Sequence, residues 1–142
     1  MAQSVREVMT QNPTVLPASA SVQEAAIRMR DQDIGDIIVE KDGALYGMVT
    51  DRDIVVRLIA EGKDATATDL ESICSRDLVK LAPDDSVKDA SRVMEENAVR
   101  RLPVIEGGRN GKAIGIVSLG DIVIEKKPKS ALGKISAAAA NT

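Results

Sequence analysis

The stretch Gly47-Met48-Val49-Thr50-Asp51-Arg52-Asp53 is answered later in the chain by Gly115-Ile116-Val117-Ser118-Leu119-Gly120-Asp121, and both copies continue Ile-Val. A chain that spells one unit twice is constrained to build it twice. In each copy a glycine leads into an apolar pair, then a hydroxyl residue, then an aspartate three positions on. That order reads as the end of a strand, a turn and the start of a helix. A hydroxyl followed three residues later by a carboxylate is also the pattern of a helix capping box, in which each side chain accepts the other residue's backbone N–H. Each pair therefore has a structural reading and a chemical one.

The flanking sequence extends the repetition. Val5, Val8 and Met9 form a short helical stripe ended by Pro13, and Thr14-Val15-Leu16 reads as a brief strand stopped by Pro17. Ser21-Val22-Gln23-Glu24 opens a helix with Val22, Ala25, Ala26 and Met29 on one face. Asp33-Ile34-Gly35 turns the chain into a buried strand at Ile37-Ile38-Val39. Lys41-Asp42-Gly43 is a hairpin turn, and Ala44 to Val49 is the return strand. A second helix starts at Thr50, carries Ile54, Val55, Leu58 and Ile59, and ends near Gly62.

The order then starts again. Ile73-Cys74 stands where Val8-Met9 stood, Leu78-Val79-Lys80-Leu81 matches the first strand, and Ser86-Val87-Lys88-Asp89 opens the matching helix. Met94 follows Met29 by 65 positions, whereas Ser118 follows Thr50 by 68. The added residues fall in Gly107-Gly108-Arg109-Asn110-Gly111, a hairpin tip, where a repeat tolerates insertion. This tip is no phosphate loop, because Ala113 stands where Ser or Thr is required. The expected organisation is repeat one at 1–62, a linker at 63–68, repeat two at 69–125 and a flexible basic and alanine-rich tail at 126–142, in an α+β fold.

Composition removes whole classes of function. The chain of 142 residues has a formal charge of -3, with no basic field to attract nucleic acid or anionic lipid. No apolar run is long enough to span a bilayer, and the N-terminal residues lack the hydrophobic stretch of a secretory signal, so a cytoplasmic location is expected. Cys74 is alone and forms no internal disulfide. Histidine is absent, which excludes Ser-His and Cys-His nucleophile pairs and His-based metal sites. Neither a catalytic group nor a metal site is expected. Tyr46 is the sole aromatic, so a bound base would have to lie against aliphatic side chains or arginine planes.

Tandem units of this length, each ending in Gly-apolar-apolar-[Ser/Thr]-x-x-Asp-Ile-Val, resemble the CBS domain pair, or Bateman module, of the small stand-alone bacterial type. The resemblance covers residues 5 to 125. It implies two βαββα-type repeats packed with pseudo-twofold symmetry through their sheets, two clefts for adenosine-containing ligands, and a disc-shaped homodimer. It brings no catalytic activity.

Within that frame, Thr50 with Asp53 and Ser118 with Asp121 are the expected anchors. A hydroxyl at the cap can meet phosphate or sugar, while a carboxylate repels phosphate and suits the two donors of a ribose diol. The two sites are unequal in charge. Arg100 and Arg101 precede the buried strand of repeat two, where repeat one has Gly35 and Asp36. The arginines can grip phosphate and lie over adenine, whereas Asp36 repels a polyphosphate. Arg52 supplies a cation beside Asp53 where repeat two has Gly120. Leu78, Val79, Leu102 and Pro103 in one repeat, with Thr14, Val15, Ile37 and Ile38 in the other, are candidates for an adenine slot. Singly, each also fits a core position.

The expected ligand is an adenosine nucleotide, AMP or ATP first, with ADP, NAD(H) and S-adenosylmethionine as relatives; its target protein is absent from the chain. The competing reading is a ligand-free scaffold whose hydroxyl–aspartate pairs only cap helices.

Overall fold

The computed structural model describes residues 4–76, 78–108 and 111–126. Arg109 and Asn110 of the expected hairpin tip, and the expected tail from Lys127 on, lie outside the described residues. The chain forms two compact α+β units. The first spans Thr14–Leu78, and the second takes the residues up to Pro13 together with those from Val79 on. The chain passes between them at Pro13/Thr14 and at Leu78/Val79, equivalent positions of the two repeats.

Helix α1 (Val5–Val8) and the two-residue strand β1 (Thr10–Gln11) therefore belong to the unit that carries the second motif. The first unit is a sheet of β2 (Val15–Pro17), β3 (Asp36–Lys41) and β4 (Ala44–Thr50), with α2 (Val22–Gln32) between β2 and β3. β2 runs parallel to β3, and β3 is antiparallel to β4. Asp42 and Gly43 at the hairpin tip both have positive φ, 55° and 79°, as a two-residue turn matched to strand twist requires. Helix α3 (Asp51–Ile54) follows and widens into a π turn over Val55–Ile59. Helix α4 (Leu70–Ile73) closes the unit. Leu16, Val22, Ala25, Ile37, Val49, Leu70 and Ile73 are among the buried side chains of its core.

The second unit repeats this plan with α5 (Val87–Asn97), β5 (Arg101–Glu106), β6 (Lys112–Ser118) and α6 (Leu119–Lys126). Its sheet order is β1-β6-β5, and its core gathers Val5, Leu81, Val87, Leu102 and Val117. Ser21 and Ser86 cap α2 and α5 by accepting the N–H of Glu24 and Asp89, as the sequence pattern predicts.

Each unit is completed by the leading segment of the other repeat, in the same register. Val5 N donates to Asp85 O (2.7 Å) and Arg6 N to Pro83 O (3.0 Å); Leu70 N donates to Ala20 O (2.9 Å) and Glu71 N to Ala18 O (3.0 Å). Every residue in the second set is 65 positions from its counterpart in the first. Farther along, Thr10 pairs with Ile116 on β6, and Ser75 forms a bridge to Met48 on β4.

The motif glycines exist for this docking. A Cβ at Gly47 would stand 2.6 Å from Ser75 O and 2.9 Å from Cys74 Sγ; at Gly115 it would stand 2.5 Å from Met9 Sδ and 2.9 Å from Thr10 O. Only a residue without a side chain lets the segment lie this close. In the first unit the segment is also held from outside. Arg76 stacks 3.5 Å over the Tyr46 ring, and Glu71 accepts from Lys41 Nζ (2.6 Å) and Tyr46 Oη (3.2 Å). Lys41 holds the Glu71 carboxyl below its usual range.

The units differ in the strand that precedes the first long helix. The expected strand at Leu78–Leu81 reduces to a single parallel bridge, Leu81 to Val104. In the first unit Ile38 N donates to Thr14 O at 3.0 Å. The equivalent of Ile38 is Pro103, which has no N–H to give to Val79, so pairing begins only at Leu81.

Adding a methyl at either motif glycine should destabilise the protein by about 1–3 kcal/mol. Gly47→Ala meets a backbone carbonyl and should be the worse of the two. Gly115→Ala meets first the mobile end of Met9. Urea midpoints of the two variants would reverse this order if the segments were not docked as described.

Candidate ligand-binding site

The two motifs fold into the same local structure. Thr50 is the N-cap of α3: Asp53 N donates to Thr50 Oγ1 at 3.2 Å, and Thr50 N donates to Asp53 Oδ2 at 2.9 Å. In the second unit Asp121 N donates to Ser118 Oγ at 3.2 Å, and Ser118 N donates to Asp121 Oδ2 at 2.8 Å. Both are complete capping boxes, and all four residues are half-buried. The capping reading is therefore realised in both copies. It engages one oxygen of each carboxylate, and a carboxylate offers about four lone-pair sites.

The sheet register sets what stands beside each cap. Asp36 is directly across from Thr50, and Arg101 is directly across from Ser118. The first residue of each helix ties down the residue before that partner: Asp51 N donates to Gly35 O (3.0 Å) and Leu119 N to Arg100 O (2.7 Å). One sheet end thus gathers a hydroxyl, a carboxylate and an acidic neighbour, and the other gathers a hydroxyl, a carboxylate and a basic neighbour. Directly opposed residues approach within about 5 Å at Cβ, so the charge at 36 or 101 reaches any group placed on the cap. Arg52 and Arg100 are exposed.

The apolar candidates divide by strand alternation. Ile37 and Leu102 are fully buried members of the two cores. Ile38 and Pro103, also buried, alternate to the opposite face of their strands. Thr14 and Val15 lie beside Ile38, through the Thr14 carbonyl and the Val15–Ile38 register, and the Thr14 hydroxyl bonds to the Gln32 side chain. Thr14, Val15, Asp36, Ile37, Ile38, Thr50, Arg52 and Asp53 are thus together in the first unit. Val79, Arg100, Arg101, Leu102, Pro103, Ser118 and Asp121 are together in the second. Leu78 is the last residue of the first unit, although it was grouped with Val79 by sequence.

Arg57 is a further candidate, beside Asp53, that sequence reasoning missed. Its Nε lies 3.8 Å from Asp53 Oδ1, and its Nη1 donates to Ile73 O at 3.0 Å. Its spacing of four from Asp53 was the available signal. An open hollow of about 480 Å³ lined by Lys63, Ala67, Thr68, Asp69, Glu71 and Ser72 contains none of the expected site residues. Among the described residues no group of three His, Cys, Asp or Glu side chains could hold a metal ion. Nor, among them, is any helix long and apolar enough to cross a membrane.

Residues 5–60 and 70–126 each match the CBS domain family, and the chain belongs to it. It is 35% identical over 130 residues to the CBS domain-containing protein YhcV of Bacillus subtilis, covering 92% of this chain and 90% of that protein. The hexameric CBS-CP12 protein from bloom-forming cyanobacteria superposes with a TM-score of 0.76 at 30% identity, covering 92% of this chain and 74% of that one. The CBS domain pair of protein MJ0100, solved in complex with 5′-methylthioadenosine and S-adenosylmethionine, shares the fold with a TM-score of 0.78. At 22% identity, that match covers 92% of this chain and 100% of the other.

Replacing Thr50 or Ser118 by Ala should each cost about 1 kcal/mol of stability, the usual worth of a hydroxyl cap. Chemical denaturation measures it. No loss in either variant would mean that the capping boxes are not made in solution.

Proposed function

We propose that the protein is a ligand-sensing module in which each CBS repeat presents a site for an adenosine-containing molecule, with no catalytic step of its own. The observation that carries this reading is the duplicated capping box. Each box leaves a fixed, half-buried aspartate with lone pairs to accept from a ribose diol, on Asp53 beside the Arg57 contact to Oδ1. That a protein of this fold was solved with two adenosine compounds supports the same ligand class. Of the two, the Ser118–Asp121 site, with Arg101 opposite the cap and Arg100 beside it, suits a phosphate-bearing nucleotide such as AMP or ATP. The Thr50–Asp53 site, with Asp36 opposite the cap, disfavours a polyphosphate. Arg52 there offers one cation. Binding acts by shifting a conformational equilibrium, to the extent of the ligand's differential affinity for the two states.

A homodimer is the assembly we infer. Val55, Val56 and Ile59 are 55%, 46% and 63% exposed along the helical stretch that follows the first motif. Apolar side chains clustered on one helical stretch mark an association surface. The ligand-free scaffold reading rests on this same surface.

Calorimetry against AMP, ADP, ATP, NADH and S-adenosylmethionine tests the sensor reading. Asp121→Ala should weaken AMP binding by at least about tenfold, the loss of a hydrogen bond to a charged group. If Asp53→Ala abolished it and Asp121→Ala did not, the order of the two sites would be reversed. No binding of any ligand by the parent leaves the scaffold reading. For the assembly, Ile59→Glu should lower the mass measured by light scattering to that of a monomer; an unchanged mass would place the interface elsewhere.

A further inference from the structure

Asp53 is held at both oxygens, Oδ2 by the Thr50 N–H (2.9 Å) and Oδ1 by the Arg57 guanidinium (3.8 Å). The same guanidinium donates through Nη1 to Ile73 O at 3.0 Å and Cys74 O at 3.4 Å. These are the carbonyls at the end of α4, which have no further helical donor. Arg57 thus joins the carboxylate of the motif to the segment that docks against Gly47. That segment continues through Ser75, bridged to Met48 by N–H···O bonds of 2.9 and 3.0 Å, to Leu78, where the chain leaves the unit. The second repeat has Glu125 at the position of Arg57, a charge that cannot reproduce the link.

We propose that Arg57 is a positioning residue that couples the Asp53 site to the docking of Leu70–Ser75, so that ligand at Asp53 tightens the segment leading out of the first unit. The ligand half of this proposal rests on the reading of Asp53 as a ribose contact. Two nitrogens of one planar fork share the work: Nε faces the carboxylate while Nη1 holds both carbonyls. Ordering one end lowers the entropy left to lose at the other, and such coupling is reciprocal. The first unit would then be the one whose occupancy is transmitted along the chain.

The ligand-free protein gives the first test, by hydrogen exchange at the Cys74 and Ser75 amides. Asp53→Asn and Arg57→Gln should each speed exchange by about fivefold or more, and the double variant should be no faster than the faster single one. Effects that multiply would overturn the coupling. Ligand is added in an Asp121→Ala background, so that only the first site is read, with AMP and S-adenosylmethionine as probes. The bound probe should slow exchange at both amides. Arg57→Gln should weaken binding and remove the slowing, and Arg57→Lys, with a single nitrogen, should recover part of the affinity but none of the slowing. Binding with unchanged exchange overturns the proposal, as does loss of all binding in this background when the parent binds. A parent that binds neither probe nor any other adenosine ligand sinks the sensor reading itself, and the ligand-free cycle then decides the coupling alone.

Discussion

The close approach of each repeat's leading segment to a glycine on the other repeat's last strand is the constraint on which the structure depends. Gly47 receives Cys74 and Ser75, and Gly115 receives Met9 and Thr10, at distances that a single methyl would violate. Because the segments are exchanged, neither repeat can complete its sheet or core from its own residues. Val5 is fully buried in the second unit, and Leu70 and Ile73 are fully buried in the first. Each such side chain contributes about 1.5–3 kcal/mol of burial free energy. The repeats are thereby made interdependent in folding.

The same glycines place the chemistry. Three residues beyond each one the strand ends on a hydroxyl residue, which becomes the cap of a helix. A cap must accept backbone N–H groups to close the helix, so the aspartate three residues on is fixed in space by the fold itself. The cap uses one oxygen of each aspartate, and on Asp53 the other faces Arg57. What separates the two sites is their neighbours. Asp36 and Arg101 occupy equivalent places across from the cap, and Arg57 adds to Asp53 a contact for which the second repeat has no matching cation.

Much of this was legible in the chain. Local patterns carry local structure, so the capped helices α2 and α5, the tight hairpin at Asp42-Gly43 and the hydroxyl–aspartate boxes could all be read from spacing. The missing strand before Leu81 was not, although its cause lies in the sequence. Pro103 removes one donor, and the effect becomes visible only when its partner strand is known. Arg57 was hidden for a similar reason: its carbonyl partners lie 16 and 17 residues away, and no periodicity links an exposed arginine to a distant helix end.

The sequence by itself determined that one α+β unit is built twice, where its turns and caps fall, and which residues differ between the copies, because those are matters of composition and of spacing within a helix or a strand. Tertiary structure alone decided that α1 completes the second unit and α4 the first. It also showed that the motif glycine serves backbone packing and that Asp53 is tied through Arg57 to the outgoing segment. These depend on which surfaces meet after folding, and a repeat's pattern is satisfied equally well by its own leading segment or by that of its copy.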